Sequence, residues 1–545
     1  MGYTSLSVAQ ISGSKGLVTT DHEPSTLAGL KILKNGGNAA DAAVASAAAL
    51  TGVDAYMAGL GGYGYLLFYS AAEDRVFALD FVGEAPASVS IDQFVKEKPW
   101  EDYKPTTEGP LSILVPGSVA GWTALLERFG TMKMSEVLEP AIQLAKGYRV
   151  SERVSAYYES IKPTAGRFPS TARIFYKNGF FPKKGRIFVQ KDLARTLSAL
   201  AKRGADDYYN GEIAKEIAKN VREAGGLLNE EDLAGYSARW SNPISGTFRG
   251  VKIFTHPPGS SGITILQWLN ILEGFEFRDS ITSASTIHLF FEAGKLALRD
   301  DDAYNTGKDY AKIPINRLAS KRYATRQREK IDRSRASFYD LVTPARQFGN
   351  STTHFCVSDS KRNVVTITQT QMYGFDRVGI YGNLGFNLND GICYFSLDPN
   401  SLERLEPRQR PRYVMSPTIA FGDDEIIALG AAGGWTIPQT IPEVLFKLIE
   451  FKMPPQMAVS SPRFLLRYRI NSIPYAPGTV VDLEEGISVK SRKDLAHLGH
   501  TIHEPTVVER IRGPSGFGAL HALVWKNARV FAGTETRRKG SARSL

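Results

Sequence analysis

The feature that most constrains this chain is a change of character at residue 352. Residues 326–351 carry repeated Arg and Lys with no sustained apolar period, which predicts an exposed connector. Immediately afterwards, 352–358 and 364–371 alternate like two half-buried strands around the polar turn 359–363. A turn centred on Lys361 pairs Val357 with Val365 and Thr352 with Thr370. Directly opposed residues share a face, with Cβ atoms about 4.5–5.5 Å apart, so two hydroxyls meet there. On geometry alone an ordinary cross-strand Thr–Thr pair is the simpler reading.

The rest of the chain sets the class. Before the connector, a short strand at 17–20 leads into two helices around a Gly-Gly turn, the second capped by Asn38 and made mostly of Ala. Strands follow at 65–69 and 76–81, and an apolar strand ends at Val115-Pro116-Gly117. From about 133 to 302 the pattern is mainly helical, with a strand at 251–255. After the hairpin come strands at 418–421 and 426–429, a helix at 438–451 and a strand–helix–strand unit. Helices in front and strands behind predict an α+β layered architecture.

Composition narrows function mainly by exclusion. The net charge is +10, with excess in 404–412, Arg537-Arg538-Lys539 and Arg543. No nucleic-acid module accompanies it, so a solvated basic surface or an anionic substrate is expected and no nucleic-acid partner. Two cysteines, Cys356 and Cys393, are too few for a disulfide framework. Residues 1–15 lack a basic segment followed by an apolar one, and no apolar run is long enough to span a bilayer. These readings predict a cytoplasmic protein without a membrane partner.

Several motifs invite chemistry and fail on context. Gly59–Gly64 matches G-x-G-x-x-G, but a helix precedes it and a strand follows, the reverse of a dinucleotide fingerprint. His497, His500 and His503 are evenly spaced, yet Gly499 ends the helix between them, so no metal is assigned. Ser260 and Ser261 lack nucleophile-elbow spacing. Cys356 shares the parity of Thr352 and reads as a buried inert thiol. No cofactor is expected.

Gly349-Asn350-Ser351-Thr352-Thr353-His354-Phe355 resembles the processing site of the γ-glutamyltransferase family, N-terminal nucleophile hydrolases that cut themselves before the first Thr of a Thr-Thr-His. In family order come Gly36-Gly37-Asn38-Ala39-Ala40-Asp41, Gly59-Leu60-Gly61-Gly62-Tyr63-Gly64, Val115-Pro116-Gly117, Pro257-Pro258-Gly259-Ser260-Ser261-Gly262, Met415-Ser416-Pro417-Thr418 and Gly433-Gly434. The likeness runs from about residue 16 to 540. It implies a four-layer αββα sandwich, one domain made by two interwoven chains, 1–351 (large subunit) and 352–545 (small subunit). It implies cleavage between Ser351 and Thr352 by N-to-O acyl shift, with Thr352 as nucleophile. Thr353 follows it in the motif, Thr370 orients it, and Gly433 and Gly434 donate backbone N–H groups to the oxyanion. The freed α-amine, with a reference pKa of about 7.7–8.0, serves as general base.

The same resemblance breaks where the family grips a glutamyl head group. Its arginine aligns with Val82, its asparagine with Met372, its glutamine or glutamate with Gly391 and its aspartate with Tyr394. Its Ser-Ser pair is replaced by Tyr413-Val414. Charged and hydroxylated groups have become apolar, aromatic or absent. Each lost charge-assisted contact is worth about 1.5–3 kcal/mol, so a small-molecule amide with an apolar or aromatic acyl part is expected as substrate. Three readings compete with this one: a true γ-glutamyl hydrolase or transferase, a carbon–carbon hydrolase, and a non-catalytic scaffold. Arg408, Arg410 and Arg412 read as a solvated stretch or as partners for a distant carboxylate.

Overall fold

The computed structural model describes residues 10–94, 104–177, 181–305, 312–339, 351–467, 480–503 and 514–545. Two seven-stranded antiparallel sheets are stacked face to face. The first runs, edge to edge, Ser541–Ser544, Gly16–Thr20, Ser351–Asp359, Val364–Met372, Tyr63–Ser70, Arg75–Phe81 and Arg239–Ser241. The second runs Ser12–Gly13, Arg529–Gly533, Ala519–Lys526, Glu425–Ala432, Thr418–Phe421, Val251–Thr255 and Ile244–Phe248. Both sheets combine strands from before residue 351 with strands from 351 onward, so neither part of the chain could form its sheets alone.

Strand alternation sorts the hairpin between two cores. Phe355, Val357, Val365 and Ile367 join the core under the first helical layer. Cys356 and Val364 point the other way, into the layer between the sheets, with Leu67, Ile419, Leu523 and Trp525. The helix Ala39–Val53 is buried along its whole length, and its alanines let it lie flat against the hairpin and the neighbouring helices. Asn38 caps it, accepting from the N–H groups of Ala40 and Asp41 while Asp41 answers on the Asn38 N–H at 2.9 Å. Helices Gly262–Leu272, Ala284–Tyr304 and Ile437–Ile449 cover the second sheet. The architecture is the four-layer αββα sandwich.

Three expectations are corrected. The stretch 133–302 also contains Arg239–Ser241 and Ile244–Phe248, edge strands whose Ser, Gly and Thr give little apolar signal in sequence. Residues 113–116 run extended but join no sheet; Val115 N–H bonds the Glu84 carbonyl and Leu114 N–H the Asn389 side chain. The helix Lys321–Arg328 reaches into the expected connector, and residues 340–350 lie outside the described residues.

The basic runs are solvated only in part: Arg408, Lys539 and Arg543 are exposed, but other members are buried in ion pairs. Arg410 is buried against Asp80 and Glu84, both at 3.0 Å, and Arg412 is buried against Asp301. Arg537 pairs with Glu484 and Glu535 at 2.5 and 3.1 Å. Sequence shows the cation but not the carboxylate that folding brings to it. Among the described residues no helix is long and apolar enough to cross a membrane.

Candidate active site

The hairpin has the register read from its turn. Thr352 pairs with Thr370 and Val357 with Val365, and the Thr352 and Thr370 hydroxyl oxygens are 3.0 Å apart. One step further the register slips: Ser351 faces Met372, with an irregularity between Ser351 and Thr352. Met372 has φ +76°, a left-handed conformation uncommon for a side-chain-bearing residue. Its N–H donates to Thr370 Oγ1 at 2.9 Å.

The hydroxyl protons can be assigned by counting. Thr370 O–H donates to the carbonyl oxygen of Ser351, which can only accept. Thr370 Oγ1 has then used its proton and takes the Met372 N–H on one lone pair. The remaining lone pair is left for the Thr352 O–H. The result is a directed chain from Thr352 to Thr370 to the Ser351 carbonyl, with both threonines buried.

Thr352 is held from the other side by groups that sequence reasoning missed. The neighbouring strand Gly16–Thr20 pairs only with 356–359, so it gives the Thr352 carbonyl no backbone partner. Arg538 supplies one, donating from Nη1 at 2.9 Å. Arg538 is buried and lies 3.5 Å from Asp21. Asp21 also accepts from Thr353 Oγ1 at 3.2 Å and meets His521 Nε2 at 3.0 Å. Burial opposes charge on Asp21, yet the hydrogen bond to His521 and the nearby His521, Arg538 and Arg153 hold its carboxyl well below the usual range. Arg153 closes the cluster, donating to the carbonyls of Asp21 and Arg538 at 3.1 and 2.9 Å. The one sequence hint was His521, a lone imidazole in the apolar strand Ala519–Lys526.

His354 lies two residues along the Thr352 face. Its Nδ1 meets Thr368 Oγ1 at 2.8 Å and its Nε2 meets Thr366 Oγ1 at 3.2 Å. Burial, reinforced by His521, pushes it well below the ordinary histidine range, so it is neutral. The strand Glu425–Ala432 packs over this face. The Ala428 carbonyl meets Cys356 Sγ, and Gly430 lies against the His354 ring, where a Cβ would come within 2.4 Å. The strand ends at Ala432, and Gly433 and Gly434 follow it. Both glycines have positive φ, +126° and +60°, and lead into the N-terminus of Ile437–Ile449.

The six departure positions are brought to one place. Val82, Met372, Tyr394, Tyr413 and Val414 are buried in a single apolar cluster. Tyr394 stacks on Tyr413 with ring centroids 4.0 Å apart, and Tyr63 meets Tyr413 edge-on at 5.4 Å. The Tyr413 hydroxyl lies 2.9 Å from Met372 Sδ, and Tyr413 also interacts with Thr370. Gly391 completes the wall: a Cβ there would come within 2.4 Å of Leu114 and 2.8 Å of the Tyr63 hydroxyl.

The rejected motifs have structural roles. A Cβ on Gly61 would come within 2.1 Å of the Asn387 carbonyl, and one on Gly62 within 2.4 Å of the Thr370 carbonyl. The glycine-rich turn thus buttresses the Thr370 strand. Gly499 has φ +92° and separates the three histidines: His503 meets Asp482 at 2.7 Å, whereas His500 meets His288 at 2.9 Å beside Glu292. The Lys295 ammonium already sits on Glu292 at 2.5 Å and supplies the positive charge there. Ser260 donates to the His256 carbonyl within its own turn. The Cys356 thiol is buried and pushed up to about 12 by that burial, with Thr366 opposing.

The sequence model of the gamma-glutamyltranspeptidase family matches residues 25–545. The chain belongs to the gamma-glutamyltranspeptidase family. It is 32% identical over 504 residues to the glutathione hydrolase proenzyme of Escherichia coli (strain K12), covering 89% of this chain and 86% of that one. It is equally 32% identical over 525 residues to the acylase ACY 1 proenzyme of Pseudomonas sp. (strain SE83), covering 94% and 90%. Its fold is similar to that of a cephalosporin acylase from Bacillus halodurans, with TM-score 0.86, 28% identity, and 98% and 97% of the two chains covered. This gamma-glutamyltranspeptidase family member is therefore an enzyme of the N-terminal nucleophile amidohydrolase and acyltransferase class, on the αββα fold.

Proposed function

We propose that the chain is a self-processing amide hydrolase whose nucleophile is Thr352 and whose acyl group is apolar or aromatic. In processing, Thr352 Oγ1 attacks the Ser351 carbonyl carbon. Its proton passes to Thr370, and the Thr370 proton goes to the carbonyl oxygen. Collapse passes that proton to the departing nitrogen, breaks the Ser351–Thr352 C–N bond and leaves an ester beside the freed Thr352 amine; water then hydrolyses the ester to a Ser351 carboxylate and the Thr352 hydroxyl. In turnover that amine takes the Thr352 hydroxyl proton as the oxygen attacks substrate, while Gly433 and Gly434 N–H groups receive the oxyanion.

The observation that carries the specificity is the convergence of Val82, Met372, Gly391, Tyr394, Tyr413 and Val414 beside Thr370. A zwitterionic glutamyl head would meet aromatic faces and a thioether where it needs charged partners. An aromatic or aliphatic acyl group meets surfaces that it can bury. Similarity to acylases as well as to glutathione hydrolases is consistent with this choice.

Two measurements test it. A denaturing gel of purified protein is expected to show bands of 351 and 194 residues, from 545 less 351; a persistent single band after long incubation counts against self-cleavage. The processed protein is then expected to turn over phenylacetyl-p-nitroanilide at least about a hundredfold better than γ-glutamyl-p-nitroanilide, since two lost contacts suffice for that ratio. The opposite preference would make it a γ-glutamyl hydrolase, as the E. coli similarity allows.

A further inference from the structure

The Thr352 carbonyl needs one hydrogen-bond donor, because its neighbouring strand ends short of it. A neutral donor would satisfy it. The chain instead uses the guanidinium of Arg538, buried, at 2.9 Å. A fixed charge in that position does more than close a hydrogen bond. The carbonyl it grips belongs to the residue whose nitrogen becomes the free amine on cleavage.

We propose that Arg538, with Asp21 as its counter-charge, sets the proton affinity of the Thr352 α-amine and so holds it neutral as the general base. This rests on Thr352 being the new N-terminus. A cation close to an amine disfavours the ammonium form, and burial weakens the screening. Asp21 limits the effect and keeps Arg538 in place. It is bonded to Thr353 Oγ1 at 3.2 Å and lies 3.5 Å from Arg538, whereas Arg538 is the charge that bonds Thr352 itself.

Other titratable groups flank the amine at greater remove. His521 lies behind Asp21, and Arg153 stands beyond both, paired with Asp54 at 3.4 Å. His354 lies two residues along the strand. Tyr413 approaches through Thr370, and Asp390 sits behind the turn, accepting from Tyr373 and Gly374 N–H groups. None of these bonds Thr352, whereas Arg538 does. Arg538 is a positioning residue: it acts through Thr352 and not on substrate.

The test titrates the amine directly and needs no substrate. Processed protein is treated with cyanate between about pH 5 and 9 beside a reference peptide with a free α-amine, and carbamylation of the small-subunit N-terminal peptide is read by mass spectrometry. The wild-type midpoint is expected about one unit below the ordinary 7.7–8.0 range. Arg538→Gln should raise it by about one unit, Arg538→Lys should stay near wild type, and Asp21→Asn should lower it further. A wild-type midpoint in the ordinary range overturns the inference. So does an unmoved midpoint in Arg538→Gln or, should that variant stay uncut, an unmoved or raised midpoint in Asp21→Asn. A wild-type chain that never exposes Thr352 as an N-terminus overturns the nucleophile reading instead, and the gel shows this before any labelling.

Discussion

Thr370 donates its hydroxyl proton to the carbonyl oxygen of Ser351, the group next to the bond proposed to break. Its oxygen lies 3.0 Å from Thr352 Oγ1, so one side chain touches both the attacking atom and the carbonyl under attack. Replacing it with Val is expected to slow processing by about 10²–10³, the typical cost of one oxyanion donor. Thr370→Ser, which keeps the hydroxyl, should process far faster than Thr370→Val. A time course on denaturing gels reads both, and equal rates for Val and wild type would exclude Thr370 from the relay.

Thr352→Ala removes the nucleophile but only a small volume. It should give a folded, full-length, inactive chain with near-wild-type thermal stability. Efficient cleavage in that variant would assign the attack to another group.

The aromatic wall should show in substrate preference before it shows in stability. Tyr413→Phe keeps the stack with Tyr394 and loses the hydroxyl that lies near Met372 Sδ and interacts with Thr370, while Met372 N–H and Thr352 still hold Thr370. It should retain most turnover of phenylacetyl-p-nitroanilide. Tyr413→Ala opens a cavity at a fully buried ring and should cost about 3–5 kcal/mol of stability along with most of that turnover. Chemical denaturation and anilide kinetics measured on the same samples separate the two effects.

Arg410 is buried between Asp80 and Glu84, so truncating it takes away the cation beside Asp80 and leaves Glu84 only its pair with Arg239. Arg410→Ala should destabilise by about 3–5 kcal/mol, as for other broken buried pairs. Arg404, whose side chain is 40% exposed, should tolerate the same change within about 0.5 kcal/mol. Comparable losses at both positions would contradict the burial difference.

Acid should destabilise the fold before the carboxylates titrate. Burial lowers His256 to about 4, with Asp80 opposing, and lowers His500 to about 3, helped by Lys295 and His288. The unfolded chain binds a proton at each near pH 6.5, so it holds more protons than the native state below that value. This contribution is complete above about 6.5 and is lost as pH falls toward 4 and 3, by about 2 kcal/mol per histidine at pH 5. Denaturation midpoints measured from pH 7.5 to 5 should fall, and a flat profile would mean that these imidazoles accept protons in the fold.

The sequence by itself determined what is local or repeats at short range. The hairpin register follows from a turn centred on Lys361, because a short polar loop fixes which residues face each other across it. The Asn38 cap and the break at Gly499 were legible for the same reason. Tertiary structure decided everything that depends on residues far apart in the chain. Arg538 read as part of a basic tail because its carboxylate, Asp21, is more than five hundred residues away. Six scattered substitutions became one aromatic wall only when Gly391, Tyr394 and Tyr413 met Val82 and Met372. Charge and pocket shape arise from contacts between distant segments, and no local period in the sequence records which segments will meet.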